Sequence, residues 1–268
     1  MNNTAERIPL FIPPTGTAGP VGASLLCRAV THRGLVRLHN EDAFCVLSKE
    51  SRHLFAVTDG LGGHRGGSIA SEMAIDTVKN EFTQWNGKGM ERFVIRAIQR
   101  ANQEVFSTAQ SHPELFSMQT TATVVALEKN SLAIGHVGDC RLYRVRNGRV
   151  ALLTRDHSEA AELLRLHLIS PEEAPQHPGR HQLTRSVGSS LFLRVDLIKE
   201  KANPGDSFIL CSDGLWSEVS HDFIKDALSE QDIEKSLEEL VEMVLKAGAP
   251  DNITGIIFRI NEINGAAS

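Results

Sequence analysis

The sequence has little of what marks several whole classes of protein. Its four cysteines, Cys27, Cys45, Cys140 and Cys211, lie far apart and include no C-x-x-C pair, which excludes a small disulfide scaffold and reads as reduced thiols of a cytoplasmic protein. No run approaches the ~18 apolar residues that a membrane-spanning helix needs. Between Met1 and Pro20 there is one acid, one arginine, four prolines and only a short apolar stretch at 8–12, so the basic and apolar regions of a secretory signal are both missing. Positive charge is short too. With 28 Lys and Arg against 33 Asp and Glu, the formal charge is -5 and the pI about 6.1, and the chain has no general attraction for nucleic acid or an anionic membrane. Any phosphate it handles needs a local cation. No repeat and no low-complexity tract interrupts the 268 residues.

What is present is ordinary globular material, 41% hydrophobic and 23% charged, long enough for one large domain with a sizeable core. Residues 1–22, rich in Pro, Gly, Thr and Asn, read as a mobile leader; the domain is expected over 23–262, with a tail at 263–268. Short β-branched or aromatic runs at 43–47 and 53–58 predict strands. Helical spacing in Ile69, Met73 and Val78, and again in Phe93, Ala97, Ala101 and Val105, predicts two successive amphipathic helices. Strands return at 121–127, 132–137 and 141–150, the last folded at Asn147-Gly148, a dipeptide suited to the positive φ angles of a two-residue hairpin. A helical piece at 160–168, a loop holding Pro171, Pro175 and Pro178, and strands at 194–198 and 207–211 follow. A second helical stretch then ends at Gly248, and a strand at 253–260 closes the domain. Helices arriving in pairs between hairpin-connected strands favour antiparallel sheets with helix pairs outside over a doubly wound parallel sheet.

The acids stand where strands meet turns: Asp42 just ahead of a strand, Asp59-Gly60 and Asp213-Gly214 ending two others, Asp139 after Val137-Gly138, and Asp251-Asn252 before the last. Any one of these pairs alone is an ordinary turn dipeptide. Together, carboxylates at the ends of buried strands repel one another unless a hard cation with a preference for oxygen ligands neutralises them.

The ordered blocks Arg33-Gly34-Leu35-Val36-Arg37 through Asn40-Glu41-Asp42, Val57-Thr58-Asp59-Gly60-Leu61-Gly62-Gly63-His64, Thr120-Thr121-Ala122-Thr123, His136-Val137-Gly138-Asp139-Cys140-Arg141, Leu153-Thr154-Arg155-Asp156-His157-Ser158, Leu183-Thr184-Arg185-Ser186-Val187-Gly188, Cys211-Ser212-Asp213-Gly214-Leu215-Trp216 and Asp251-Asn252-Ile253-Thr254 resemble the protein phosphatase 2C family of metal-dependent Ser/Thr phosphatases, in its bacterial single-domain form. The resemblance runs from about residue 26 to 260. It implies an α+β fold, an antiparallel β-sandwich flanked by helix pairs in four α-β-β-α layers, with a flap at 159–182 beside the active site.

The resemblance also implies roles. Asp59 bridges two Mn²⁺ or Mg²⁺ ions and the Gly60 carbonyl adds a ligand; Asp213 and Asp251 complete the first site; Glu41 and Asp42 serve the second, partly through water. Asp139 with Asp213 holds a third, looser ion, and Arg37 grips the phosphate. Two cations roughly 3.5–4 Å apart can lower the pKa of a shared water so that hydroxide attacks phosphorus directly. No phosphoenzyme is then needed, and the C-x5-R pattern is indeed missing, since Ser217 stands where Cys211 would need its arginine. His64 is the candidate proton donor to the leaving oxygen, while His136 and His157 read as residues that fix loops. The expected substrates are phosphoserine and phosphothreonine proteins, including a Ser/Thr kinase or its targets in bacterial signalling. The expected protein is a cytoplasmic monomer with no nucleic-acid or membrane partner. Arg165, Arg180, His167, His177 and His181 in the flap are candidates to meet a phosphopeptide, and Cys140 beside Asp139 suggests an oxidation-sensitive thiol.

Overall fold

The computed structural model describes residues 10–11, 23–61 and 66–263. In chain order its elements are β1 (Leu10–Phe11), β2 (Ala23–His32), β3 (Asp42–Lys49), β4 (Arg52–Leu61), α1 (Gly66–Gln84), α2 (Met90–Ser111), β5 (Gln119–Thr120), β6 (Ala122–Glu128), β7 (Ser131–Val137), β8 (Arg141–Arg146), β9 (Arg149–Leu152), α3 (Glu159–Arg165), β10 (Asp196–Lys201), β11 (Ser207–Cys211), α4 (Asp213–Trp216), α5 (His221–Ser229), α6 (Ile233–Lys246) and β12 (Ile253–Ile263). One sheet runs β1-β2-β12-β11-β8-β9 and the other β10-β7-β6-β4-β3, with β5 added to the end of β4; every pairing is antiparallel.

Successive side chains of a strand point to opposite faces, and the central strands are apolar on both. In β4, Leu54 and Ala56 pack with α1 and α2, while Phe55 and Val57 turn inward between the sheets. In β11, Ile209 and Cys211 pack with α5 and α6, while Phe208 and Leu210 turn inward. Phe258 of β12 stacks on Phe55 across the sandwich at 4.1 Å and on its neighbour Phe208 at 4.8 Å. Burying each such side chain contributes about 1.5–3 kcal/mol. Four layers result, helix pair, sheet, sheet, helix pair, as expected.

The predicted hairpin is there: Asn147 and Gly148 take φ of 50° and 69° between the paired β8 and β9. Gly248 takes φ 105° just beyond α6. Three expectations need correction. Asp59 does not end its strand, because Gly60 and Leu61 continue β4 by pairing with Thr120 and Gln119. The helical piece at 160–168 stops at Arg165, and His167 turns to φ 56°, left-handed backbone in which no helix continues. The strand read at 194–198 is shifted to Asp196–Lys201, the stretch that finds partners along β7. Within the segment read as a leader, Leu10 and Phe11 pair with Val30 and Ala29; the rest of 1–22 lies outside the described residues, as do 264–268. Among the described residues no helix is long and apolar enough to cross a membrane.

Candidate metal centre

The topology gathers the strand ends that carry acids onto one edge of the sandwich. Asp42, first residue of β3, lies directly across the ladder from Asp59 in β4. Asp139 follows the end of β7 after Gly138, whose φ of 105° turns the chain. Asp213 begins α4 just past β11, and Asp251 precedes β12, which pairs with β11. Five carboxylates distant in sequence thus meet at one place, and carboxylate oxygens of Asp139 and Asp213 lie with a ring nitrogen of His181 within 4.8 Å of one another.

Small polar side chains hold this edge in register. Thr121 Oγ1 accepts the Asp59 N–H at 2.8 Å, and the Thr121 N–H donates to the Asp59 carbonyl at 2.9 Å. Ser212 Oγ donates to Asp42 Oδ2 at 2.7 Å and accepts the Thr254 N–H at 3.0 Å. Asn252 uses its whole amide: Nδ2 donates to the carbonyls of Arg33 and His39, and Oδ1 accepts the Glu41 N–H, all at 2.8–2.9 Å. Trp216 Nε1 donates to the Asp139 carbonyl at 3.0 Å. Gly60 and Gly67 allow α1 to begin against Glu41. A Cβ on Gly60 would run into the Gly67 carbonyl, and one on Gly67 would sit 2.6 Å from Glu41 Oε2, so only glycine admits this approach.

The charges are not balanced within the protein. Removal from water, and then Asp42, Asp213, Asp139 and Asp251, push the Asp59 carboxyl well above its ordinary value. Burial, with Asp213 and Asp251 adding, pushes Asp42 up to about 7 despite its bonds to Ser212 and Thr254. Burial and then Asp213 raise Asp139. The cation at the rim is Arg37, half exposed, whose Nη2 donates to Asp251 Oδ2 at 2.7 Å. Crowded carboxylates raised by burial and by one another, joined by a backbone edge at Gly60, form an oxygen-rich donor set, with the His181 ring beside Asp139 and Asp213, that fits hard divalent cations such as Mn²⁺ or Mg²⁺.

The predicted residues Arg37, Glu41, Asp42, Asp59, Gly60, Asp139, Asp213 and Asp251 are therefore brought together; His64 lies outside the described residues. His136 and His157 are structural, as expected. His136 bonds Thr123 Oγ1 and the Arg155 carbonyl, and His157 Nδ1 accepts the Gly138 N–H at 3.0 Å. The reading of Cys140 as an oxidation-sensitive thiol is not supported: it is fully buried, 3.1 Å from Thr121 Oγ1, and burial with Asp59 and Asp139 pushes its thiol far up. Ser212, Asn252 and the flap residue His181, whose Nδ1 lies 3.3 Å from Asp213 Oδ2, were not singled out for these positions. Ser212 precedes Asp213 and Asn252 follows Asp251 in the sequence, the signal available for them; His181 has none that points to Asp213.

A four-layer sandwich with an oxygen-rich carboxylate edge and a guanidinium at its rim is the framework of a divalent-cation site. The model of the family described as protein phosphatase 2C matches residues 31–257, and the chain belongs to that family. It is 34% identical over 237 residues to the serine/threonine phosphatase Stp of Listeria welshimeri, covering 86% of this chain and 94% of that one. It is 32% identical over 229 residues to the serine/threonine protein phosphatase PstP of Mycobacterium tuberculosis, covering 85% of this chain but 44% of PstP, so it spans less than half the length of that relative. The crystal structure of the PstP catalytic domain in complex with two manganese ions superposes with a TM-score of 0.80 at 31% identity, over 89% of this chain and 99% of that one.

Proposed function

We propose that this chain is a serine/threonine protein phosphatase that uses Mn²⁺ or Mg²⁺ to hydrolyse phosphoserine and phosphothreonine. The observation that carries the reading is the set of mutually repelling carboxylates on one edge of the sandwich with Arg37 at its rim. Asp59, the Gly60 carbonyl, Asp213 and Asp251, with Glu41 and Asp42 acting partly through water, would hold two ions; Asp139 with Asp213 would hold a third. When bound, such ions supply Lewis acidity and a water of lowered pKa.

The chain's own residues do the rest. Arg37 presents a planar fork that matches two phosphate oxygens, fixing the phosphoryl group for in-line displacement. Its 53% exposure leaves it reachable by a substrate from solvent. Ser212, Thr121 and Asn252 hold Asp42, Asp59 and Asp251 in place, so that the donors are set before substrate arrives. His64 delivers a proton to the departing serine or threonine oxygen. The substrates are phosphoproteins, a Ser/Thr kinase or its targets among them, and the protein works as a cytoplasmic monomer without nucleic acid or membrane. The relatives' names support the phosphoprotein substrates, and the acidic charge balance supports the lack of a nucleic-acid or anionic-membrane partner.

The test is hydrolysis of a phosphothreonine peptide by metal-stripped protein, with and without Mn²⁺, beside Asp213→Asn. Turnover that appears only with Mn²⁺ and vanishes in the variant is expected; folded protein with no turnover under any metal would overturn the reading.

A further inference from the structure

Beside the carboxylate edge lies a second, oppositely charged recess. A cavity of about 310 Å³ is lined by Arg155, Glu162, Arg165, Arg185, Arg194 and Asp196. These come from the segment before α3, from α3 itself, from the segment after the flap and from the start of β10, so the fold, not a local run of sequence, concentrates them. Four guanidiniums face two carboxylates, an excess of two positive charges in a chain whose net charge is -5.

The two carboxylates are already engaged. Arg185 Nη1 donates to Asp196 Oδ1 at 2.6 Å, and Arg165 grips Glu162 through Nε at 2.9 Å and Nη2 at 2.5 Å. The Glu162 carboxyl is held below its ordinary value by that bond to Arg165, with Arg155 and Arg185 adding; these guanidiniums act on one point. Arg194 is 83% exposed and comes no nearer than 4.0 Å to Asp196. Arg155 is exposed and makes no ion pair among the described residues. The recess thus presents to solvent Arg155, without an ion pair among the described residues, and Arg194, held only by its long ion pair with Asp196, a donor set that matches phosphoryl oxygens bidentately.

It is also tied to the carboxylate edge. Arg185 bonds His157 Nε2 at 3.0 Å, His157 Nδ1 accepts the N–H of Gly138, and Asp139 follows; the flap between the two sites ends with His181 against Asp213. We infer that this recess binds a second phosphoryl group of the same substrate segment, one that is not hydrolysed while it is held, so that multiply phosphorylated segments are preferred over singly phosphorylated ones. The inference rests on the phosphatase reading above.

The test compares a singly phosphorylated threonine peptide with a set in which a second phosphoserine is stepped one residue at a time to either side. Wild-type protein with Mn²⁺ and an Arg155→Ala/Arg194→Ala variant are both assayed, with p-nitrophenyl phosphate as a substrate too small to reach the recess. Wild type is expected to use one or two of the doubly phosphorylated peptides about ten-fold better in kcat/KM, through KM, as two charge-assisted contacts allow. The variant loses that preference and keeps its rate on p-nitrophenyl phosphate. Equal use of all peptides by wild type, or an equal loss by the variant on singly and doubly phosphorylated peptides, would overturn the inference. So would inorganic phosphate changing the p-nitrophenyl phosphate rate of wild type but not of the variant, which would mark a site for free anion. Failure to hydrolyse p-nitrophenyl phosphate at all would instead count against the phosphatase reading.

Discussion

The carboxylate edge and the flap adjoin each other and are built on opposite terms. At the edge, like charges are crowded and held by backbone and small hydroxyl or amide groups, Thr121, Ser212 and Asn252, with Arg37 paired to Asp251 at the rim. In the flap, residues 159–182, most charges are exposed, Glu162 pairing with Arg165 within α3, while His181 alone reaches the edge at Asp213 among the ion pairs of the described residues. Of α3 only Ala160 is buried, and the flap's base is closed by backbone bonds from Glu159 to Gln182 and from Thr184 to His157. The edge is densely hydrogen-bonded and electrostatically unfavourable until a cation arrives; the exposed pairs of the flap contribute little to folding. Few contacts constrain the exposed flap, whereas each hydrogen bond at the edge constrains where a carboxylate stands.

The sharpest way to break this contrast is to remove a charge from the edge. Asp59→Asn should reduce Mn²⁺-dependent turnover at least about a thousand-fold, because several kcal/mol of Lewis-acid stabilisation depends on ions the amide no longer holds. The same variant, stripped of metal, should melt higher than wild type, since the amide needs no charge where burial, and then Asp42, Asp213, Asp139 and Asp251, disfavour one. Steady-state kinetics and melting in EDTA check the two halves. A variant that lost activity and stability together would mean the carboxylate is a structural bond, not a waiting ligand.

The pH dependence comes next in size. Asp42 is raised to about 7 in the folded protein by burial, with Asp213 and Asp251 adding, and its unfolded value is about 3.9. A group whose folded pKa is raised binds its proton more tightly when folded. Its contribution to stability is therefore fully present below about pH 4 and is lost as pH rises through about 7. Metal-free wild type should lose stability across that window relative to Asp42→Asn by an amount on the order of a few kcal/mol. Saturating Mn²⁺ should reverse the slope, because only ionised carboxylates ligate. Parallel EDTA melting curves for the two proteins would remove the electrostatic half of the comparison.

Steric closure of the edge gives a smaller effect. A Cβ on Gly214 would run into the Asn252 carbonyl and lie 3.1 Å from Asp251 Cβ. Gly214→Ala should therefore cost about 1–3 kcal/mol, measured by urea unfolding in EDTA, and weaken the stabilisation conferred by Mn²⁺. Unchanged stability would show the edge to be more yielding than its hydrogen bonds suggest.

Much of this contrast was legible in the sequence. Asp139 and Asp213 follow strands whose alternation or continuous apolar character announces them, and Asn147-Gly148 marked its hairpin because only a few residue types tolerate positive φ. The helix pairs were legible through their spacing. The sheet order was not: β12 lies between β2 and β11, and β10 beside β7, pairings between segments far apart in sequence that no local pattern encodes. Asp59 was misplaced at a strand end because the continuation of β4 depends on two residues of β5. The supports of the edge were equally hidden. Ser212 and Asn252 look like turn residues, and Thr121 like an ordinary strand residue, until the fold brings Ser212 to Asp42, Thr121 to Asp59 and Asn252 to Glu41. The arginine recess is invisible for the same reason, its members standing at 155, 165, 185 and 194.

The smallest expected effect is on the flap side, where the contrast predicts silence. Glu162 and Arg165 stand three residues apart on α3 in a fork-shaped ion pair with both side chains more than 40% exposed. Such pairs gain little against water, lose side-chain freedom and are screened by salt. Glu162→Ala should leave the melting temperature unchanged within error, at low salt and at high, and the melting curve should keep one transition. The core reached by α3 explains why: its single buried side chain, Ala160, is untouched, and the backbone bonds at the flap's base do not involve the carboxylate. A clear fall in melting temperature would mean that the flap is part of the cooperative fold, and the division of labour between edge and flap would have to be given up.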